Sequence, residues 1–167
     1  AGGHRGHFLR GDLDLAGQAE LLALLPRVRA AVSLPAIAAG GIGFSSTQSF
    51  SHNDGDGKPV PSRNATTEEL LALCEVVADY EGTTLEYITD GCLKGFTDDE
   101  VDRITNMSLR GQRPVNWNVL TVDSRDPDVV EHQLQASTHA AEHGGRVVAL
   151  TMPILVPMNM SLLTRCA

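Results

Sequence analysis

Long apolar runs are missing from this chain of 167 residues. No stretch approaches the ~20 residues needed to span a bilayer. The first ten residues carry two His and two Arg but no apolar segment, so no secretory signal is read there. Cysteines are few, odd in number and scattered, at Cys74, Cys92 and Cys166. That argues against a disulfide framework and for a reducing, cytoplasmic compartment. The Asn-x-Ser/Thr triplets at 64–66, 106–108 and 159–161 are then chance matches. Positive charge is in short supply, with a formal net charge of -8. We expect neither nucleic acid nor an anionic membrane as partner. No G-x-G-x-x-G and no P-loop follows any strand, which counts against a nucleotide-binding domain.

What is present is an alternation of strand and helix signals from residue 41 onward. Ile42-Gly43-Phe44-Ser45 is a short strand, followed by a polar loop over 46–64. Thr66-Thr67-Glu68-Glu69 is a capping-box sequence opening a helix. Its apolar positions Leu70, Leu73, Cys74 and Val77 fall on one stripe, and Gly82 is read as its end. Residues 83–88 (TTLEYI) form the second strand. Thr97 to Glu100 is a second capping box, for a helix lined by Val101, Ile104 and Leu109 and ended by Gly111. Residues 114–120 give the third strand. Asp126-Pro127 opens a third helix through Val130, Leu134 and Ala141, and 146–151 is the fourth strand. The order β-α-β-α-β-α-β predicts an α/β fold with a parallel sheet and crossover helices. An open doubly wound sheet and part of a (β/α)8 barrel both fit. A full barrel needs ~250 residues, so this chain has room for about half of one. Residues 15–32 read as a helix interrupted by Pro26.

The segment 40–63, GGIGFSSTQSFSHNDGDGKPVPSR, carries the most specific signal. It resembles the amidohydrolase family that contains the N-acyl-D-amino-acid deacylases. There, a G-x-G-F-S-[ST] strand leads into a long H-N-D-G-D-G-x-P-V-P-S-R loop and a helix beginning E-E-L, matched here by Glu68-Glu69-Leu70. Asn116 to Leu120 and the Gly144-Gly145-Arg146-Val147 turn are similar too. The resemblance covers residues 37–162. Residues 1–36 match poorly and 163–167 are a tail. It implies a metal-dependent hydrolase of the TIM-barrel type, of which this chain is an internal fragment of about four strands. The implied reaction is cleavage of a C–N bond other than a peptide bond, N-acyl-(D-)amino acid deacylation. A divalent metal, usually zinc, would activate the water in the full-length family.

The chain departs from the family pattern at the ligands. No His-x-His occurs anywhere, and no strand-end Asp follows in the position of the catalytic one. Where metal-binding His residues would stand, the strands carry Glu86, and Asn116 with Asn118. Glu86 is therefore the candidate metal ligand or acid/base group, against the alternative of a paired core carboxylate. The candidate substrate-binding residues are Ser45, Ser46, His52, Asn53, Asp54, Asp56, Arg63, Asn116 and Asn118. The first seven lie at the end of the first strand or in its loop, where barrels place their chemistry; Asn116 and Asn118 share one face of the third strand, where they would bond substrate or, alternatively, each other and nearby backbone. Arg63 would clamp a substrate carboxylate. Asp54 to Gly57 is no EF-hand, since Gly stands in the wrong place and position twelve is Ala65. His132, His139 and His143 share one helical face, which we expect to be solvated. Cys74 reads as packing. The partner expected is a small N-acyl amino acid or related amide. The missing ligands also favour a second expectation, a truncated non-catalytic remnant with a ligand-binding or structural role. Unpaired edges of a half-barrel predict marginal stability and self-association.

Overall fold

The computed structural model describes residues 35–151. The helix expected over 15–32, His4, His7, Cys166 and the tail 163–167 lie outside the described residues. Four strands alternate with three helices: β1 (Gly43–Thr47), α1 (Thr67–Ala78), β2 (Thr84–Ile88), α2 (Asp98–Gly111), β3 (Val115–Trp117), α3 (Pro127–Glu142) and β4 (Val147–Ala149). Short 3-10 turns at Pro61–Asn64 and Asp90–Leu93 precede α1 and α2. Among the described residues no helix is long and apolar enough to cross a membrane.

All strand pairs are parallel, and the sheet order is β1-β2-β3-β4. Strand order follows chain order with no reversal. Right-handed crossovers between strands so ordered put every helix on the same side. The sheet is singly wound. A doubly wound sheet would need a switch point, and the described strands have none.

Burial follows from this winding. Leu85 and Tyr87 of β2, Val115 and Trp117 of β3 and Val147 of β4 point at the helix layer. They form one core with Leu70, Cys74 and Val77 of α1, Ile104 and Met107 of α2, and Ala136 and Ala140 of α3. The opposite face carries the row Ser45, Glu86, Asn116 and Val148, in register across all four strands. Not one of these four is buried. Ser45 is exposed there, Glu86, Asn116 and Val148 are half-buried, and the three helices lie on the other side.

The helix starts follow their sequence signals. Thr66 Oγ1 accepts from Glu69 N at 3.2 Å. At α2 the box is reciprocal: Thr97 Oγ1 accepts from Glu100 N at 3.3 Å, and Glu100 Oε2 accepts from Thr97 N at 3.0 Å. Glu100 Oε1 also accepts from Gly91 N at 2.7 Å, so one buried carboxylate ties two turns together. Asp126 stands at the N-cap of α3, but its side chain makes no capping bond.

Several boundaries and faces differ from expectation. Helix α1 ends at Ala78, ahead of Gly82. Strands β3 and β4 are three residues each, shorter than 114–120 and 146–151. Ile42 lies before β1 and is 81% exposed. Leu109 and Leu134, expected in the core, are exposed, as is Ala141. Gln112, not Gly111, takes the left-handed cap of α2, at φ 48.

Gly111 has another task. A Cβ there would stand 2.7 Å from Leu85 Cδ1 and 3.2 Å from Cys74 O. Its missing side chain lets α2 pack against α1 and β2. Gly to Ala inside a helix ordinarily gains about 1 kcal/mol. Here overpacking should reverse the sign, so Gly111→Ala is expected to destabilise by roughly 1–3 kcal/mol. A urea midpoint shifted upward would contradict this.

Two buried groups link the core to alkaline pH. Burial, with help from neighbouring Glu75, pushes the Cys74 thiol from an ordinary 9.0 up to about 12. Burial also raises the Tyr87 phenol from 10.0 to about 12, against the pull of Arg103. Both groups are neutral in the fold and ionise earlier when unfolded. Their contribution is complete below about pH 9 and is lost as pH rises toward about 12. The urea midpoint should therefore fall between neutral pH and about pH 10.5. A midpoint that stays level across that range would rule the linkage out.

Candidate functional site

The loop after β1 is built by its own polar residues. Asp54 Oδ1 accepts from Asp56 N and from Lys58 N, each at 2.9 Å. Asp54 N donates to Lys58 O at 2.7 Å, closing a tight turn. Asn53 and Pro59 form an antiparallel bridge below it. Arg63 Nη1 donates to Asn53 Oδ1 at 2.8 Å and to His52 O at 3.4 Å. The Arg63 guanidinium thus braces the loop.

The neck of the loop is fastened by Gln48. Its Nε2 donates to Ala65 O at 2.7 Å, joining the two ends. Its Oε1 accepts from the Tyr87 hydroxyl and from Arg103 Nη1, the latter at 2.9 Å. Phe50 N donates to Asp90 Oδ1 at 2.9 Å, and Lys94 Nζ sits 3.9 Å above the Phe50 ring. These ties hold the loop against the sheet and the turn before α2.

A cleft of about 260 Å³ opens at the carboxyl ends of β1, β2 and β3, on the sheet face away from the three helices. Its walls are Ser45, Ser46, Thr47, His52, Ser62, Glu86, Ile88 and Asn118. Asn118 Nδ2 donates to Glu86 Oε1, fixing the carboxylate. One step back, Asn116 Nδ2 donates to Thr84 Oγ1 at 3.2 Å.

Backbone geometry at the end of β3 aims Asn118. The next residue, Val119, has φ 74, uncommon for a β-branched side chain. Asn118 N bonds Tyr87 O on one side, while Leu120 N bonds Leu150 O on the other. Val119 is turned out to solvent, and Leu120 takes the place against the core. Local kinks of this kind re-aim side chains next to sites.

Five of the ten candidates from the sequence therefore meet in the cleft: Ser45, Ser46, His52, Glu86 and Asn118. Asn53, Asp54, Asp56 and Arg63 build the loop instead, and Asn116 sits outside the cleft lining. Thr47, Ser62 and Ile88 were not anticipated. Ile88 could have been, since it shares the phase of Glu86 on one strand. Ser62 stands in the loop motif itself.

The chain matches no family model, and comparison with curated proteins and with solved structures returned no match.

Ligand chemistry in the cleft amounts to one carboxylate and one imidazole. Among the described residues no three His, Cys, Asp or Glu side chains converge as a metal would require. Zinc takes three or four protein ligands, so the donor set does not fit a complete centre. At the end of α3, the rings of His139 and of the C-cap His143 are tilted by 35° with centroids 4.4 Å apart. His139 Nε2 lies 3.2 Å from Asp102 Oδ1, and His143 Nδ1 lies 2.8 Å from the His139 carbonyl. Cys74 and Cys92 are buried, and burial raises both thiols, so neither is a ready nucleophile.

Proposed function

We propose that the chain is a segment of a (β/α)8 barrel of the amidohydrolase type, and that its cleft binds a small N-acylated amino acid or related amide. The observation that carries this reading is the convergence of polar groups from three parallel strands at their carboxyl ends. The sheet is singly wound, as a barrel is, and barrels place their sites at that end. The loop motif over 52–63, which resembles the deacylases, forms the wall beside it.

Roles follow from chemistry. Asn118 holds one oxygen of Glu86, leaving the carboxylate free to accept from a substrate amide N–H or from water. The hydroxyls of Ser45 and Thr47, in phase with Glu86 and Ile88, suit carbonyl or carboxylate oxygens. In the family that this segment resembles, a divalent metal supplies the activated water. Glu86 and His52 are too few to hold it here, so no step is assigned to a metal. C–N hydrolysis is the reaction proposed for the complete barrel. Binding is the part proposed for this segment. The two-ligand donor set also favours a second reading, a non-catalytic ligand-binding remnant.

Titration calorimetry with an N-acetyl amino acid tests the site. Saturable binding is expected, weakened about tenfold by Glu86→Ala, equivalent to about 1.4 kcal/mol. Equal affinity in the variant would remove Glu86 from the site. Release of free amine by the wild-type chain, lost in Glu86→Gln, would decide for catalysis over the remnant.

A further inference from the structure

Two imidazoles meet at the far end of α3. His139 stands in the last turn of that helix and His143 at its C-cap. A spacing of four residues sets both rings on one side of the helix. Their centroids are 4.4 Å apart, with the planes tilted by 35°. Strands and crossover helices run in opposite directions, so this end of α3 lies at the amino ends of the strands. The cleft is at their carboxyl ends, and the two places are separate.

The hydrogen bonds of the two rings fix where their lone pairs stand. His143 Nδ1 is 2.8 Å from the His139 carbonyl oxygen. A carbonyl only accepts, so Nδ1 carries the proton and Nε2 keeps the lone pair. His139 Nε2 is 3.2 Å from Asp102 Oδ1, on α2. An ionised carboxylate also only accepts, so here Nε2 carries the proton and Nδ1 keeps the lone pair. Each neutral ring therefore offers one free nitrogen. Metal-binding histidines are arranged in this way, with the second ring nitrogen donating to a carbonyl or a carboxylate.

Charge at this place favours a cation. The carboxyl end of a helix carries partial negative charge, and Asp102 adds a full one beside it. His143 and Asp102 are exposed and His139 is half-buried, so an ion can reach the pair. Two nitrogens bound to one cation at ~2 Å each stand about 3 Å apart. Rings with centres at 4.4 Å reach that separation by side-chain rotation, with the backbone unmoved.

We propose that His139 and His143 form a two-imidazole site for a late first-row divalent cation, the class that imidazole prefers. Asp102 is a positioning residue that holds the His139 ring from the neighbouring helix. Water fills the remaining coordination positions, so no third protein ligand is required. The bound ion clamps the last turn of α3. This site does not depend on the cleft or its ligand.

The probe is Ni2+, which is paramagnetic and broadens nearby amide signals. Titrated into the full chain, it should saturably broaden the amides of Asp102 and of residues around His139 and His143. Excess diamagnetic Zn2+ should restore them. Sharp signals there, with Ni2+ at saturation or bound at other histidines, overturn the proposal without any variant having to fold. His143→Ala should abolish the local broadening. Asp102→Asn should weaken the affinity read from it by about tenfold. Unchanged affinity in His143→Ala overturns the site, and in Asp102→Asn it overturns the positioning role. An ion bound to the folded helix also stabilises it. The urea midpoint of the wild-type chain should therefore rise with Ni2+ more than that of His143→Ala. An equal rise in both counts against the clamp.

Discussion

Replacing Gly43 with alanine is expected to break the pairing of β1 with β2 and to cost roughly 3 kcal/mol or more. Gly43 has φ +150, a conformation that L side chains rarely adopt. A Cβ added there would stand 1.9 Å from Thr84 O and 2.9 Å from Thr84 C and N. These are backbone atoms of the paired strand, so no rotamer change relieves the clash. The strand must move, and Ser45, Ser46 and Thr47 leave the cleft with it. Urea unfolding read by circular dichroism should show a much lower midpoint, and the amides of β1 should lose exchange protection. A midpoint equal to wild type would mean that the approach of β1 to Thr84 is wrong.

Trp117→Ala is the second large effect, expected at about 3–5 kcal/mol. Trp117 is fully buried and meets Phe96 edge-on with ring centroids 4.7 Å apart. It joins β3 to the helix layer directly below the strand end that presents Asn118. Truncation leaves a cavity that three-residue strands are poorly placed to close. Trp117→Phe should cost far less. It keeps an aromatic partner for Phe96 and deletes an indole N–H that has no hydrogen-bond partner in the core. If alanine and phenylalanine variants unfold at the same midpoint, packing at this position is not what holds β3.

How far the sequence carries can be read residue by residue. The phase of TTLEYI separates Leu85 and Tyr87 from Glu86, and the structure keeps that separation. Thr66 and Thr97 mark their helix starts because capping bonds are local. Helix α3 misleads for the opposite reason. Its apolar Val130 and Leu134 suggest one face, yet the buried residues are Gln133, Ala136 and Ala140. Gln133 is buried because its amide donates to Gly91 O at 3.0 Å and Cys92 O at 3.1 Å, partners about forty positions upstream. No periodicity count reveals acceptors that distant.

The site divides along the same line. Ser45 was legible from its strand end, and Glu86 and Asn118 from the resemblance, which set them where metal-binding His residues would stand. Asp54 and Arg63 looked equally polar, but their bonds stay within the loop. Gln48 had no signal, because its three partners come from β2, α2 and the residue before the Thr66 cap. The turned-out Val119 had none either, since β-branched residues normally extend a strand.

The central claim is that the sheet face away from the three helices, at the carboxyl ends of β1 to β3, is a ligand site. Amide-resolved NMR during titration with an N-acetyl amino acid tests it most directly. The account expects saturable shifts at Ser45, Ser46, His52 and Glu86 and at the Asn118 side-chain amide, with α3 undisturbed. Shifts confined to the helix layer, or none at saturating ligand, would contradict it.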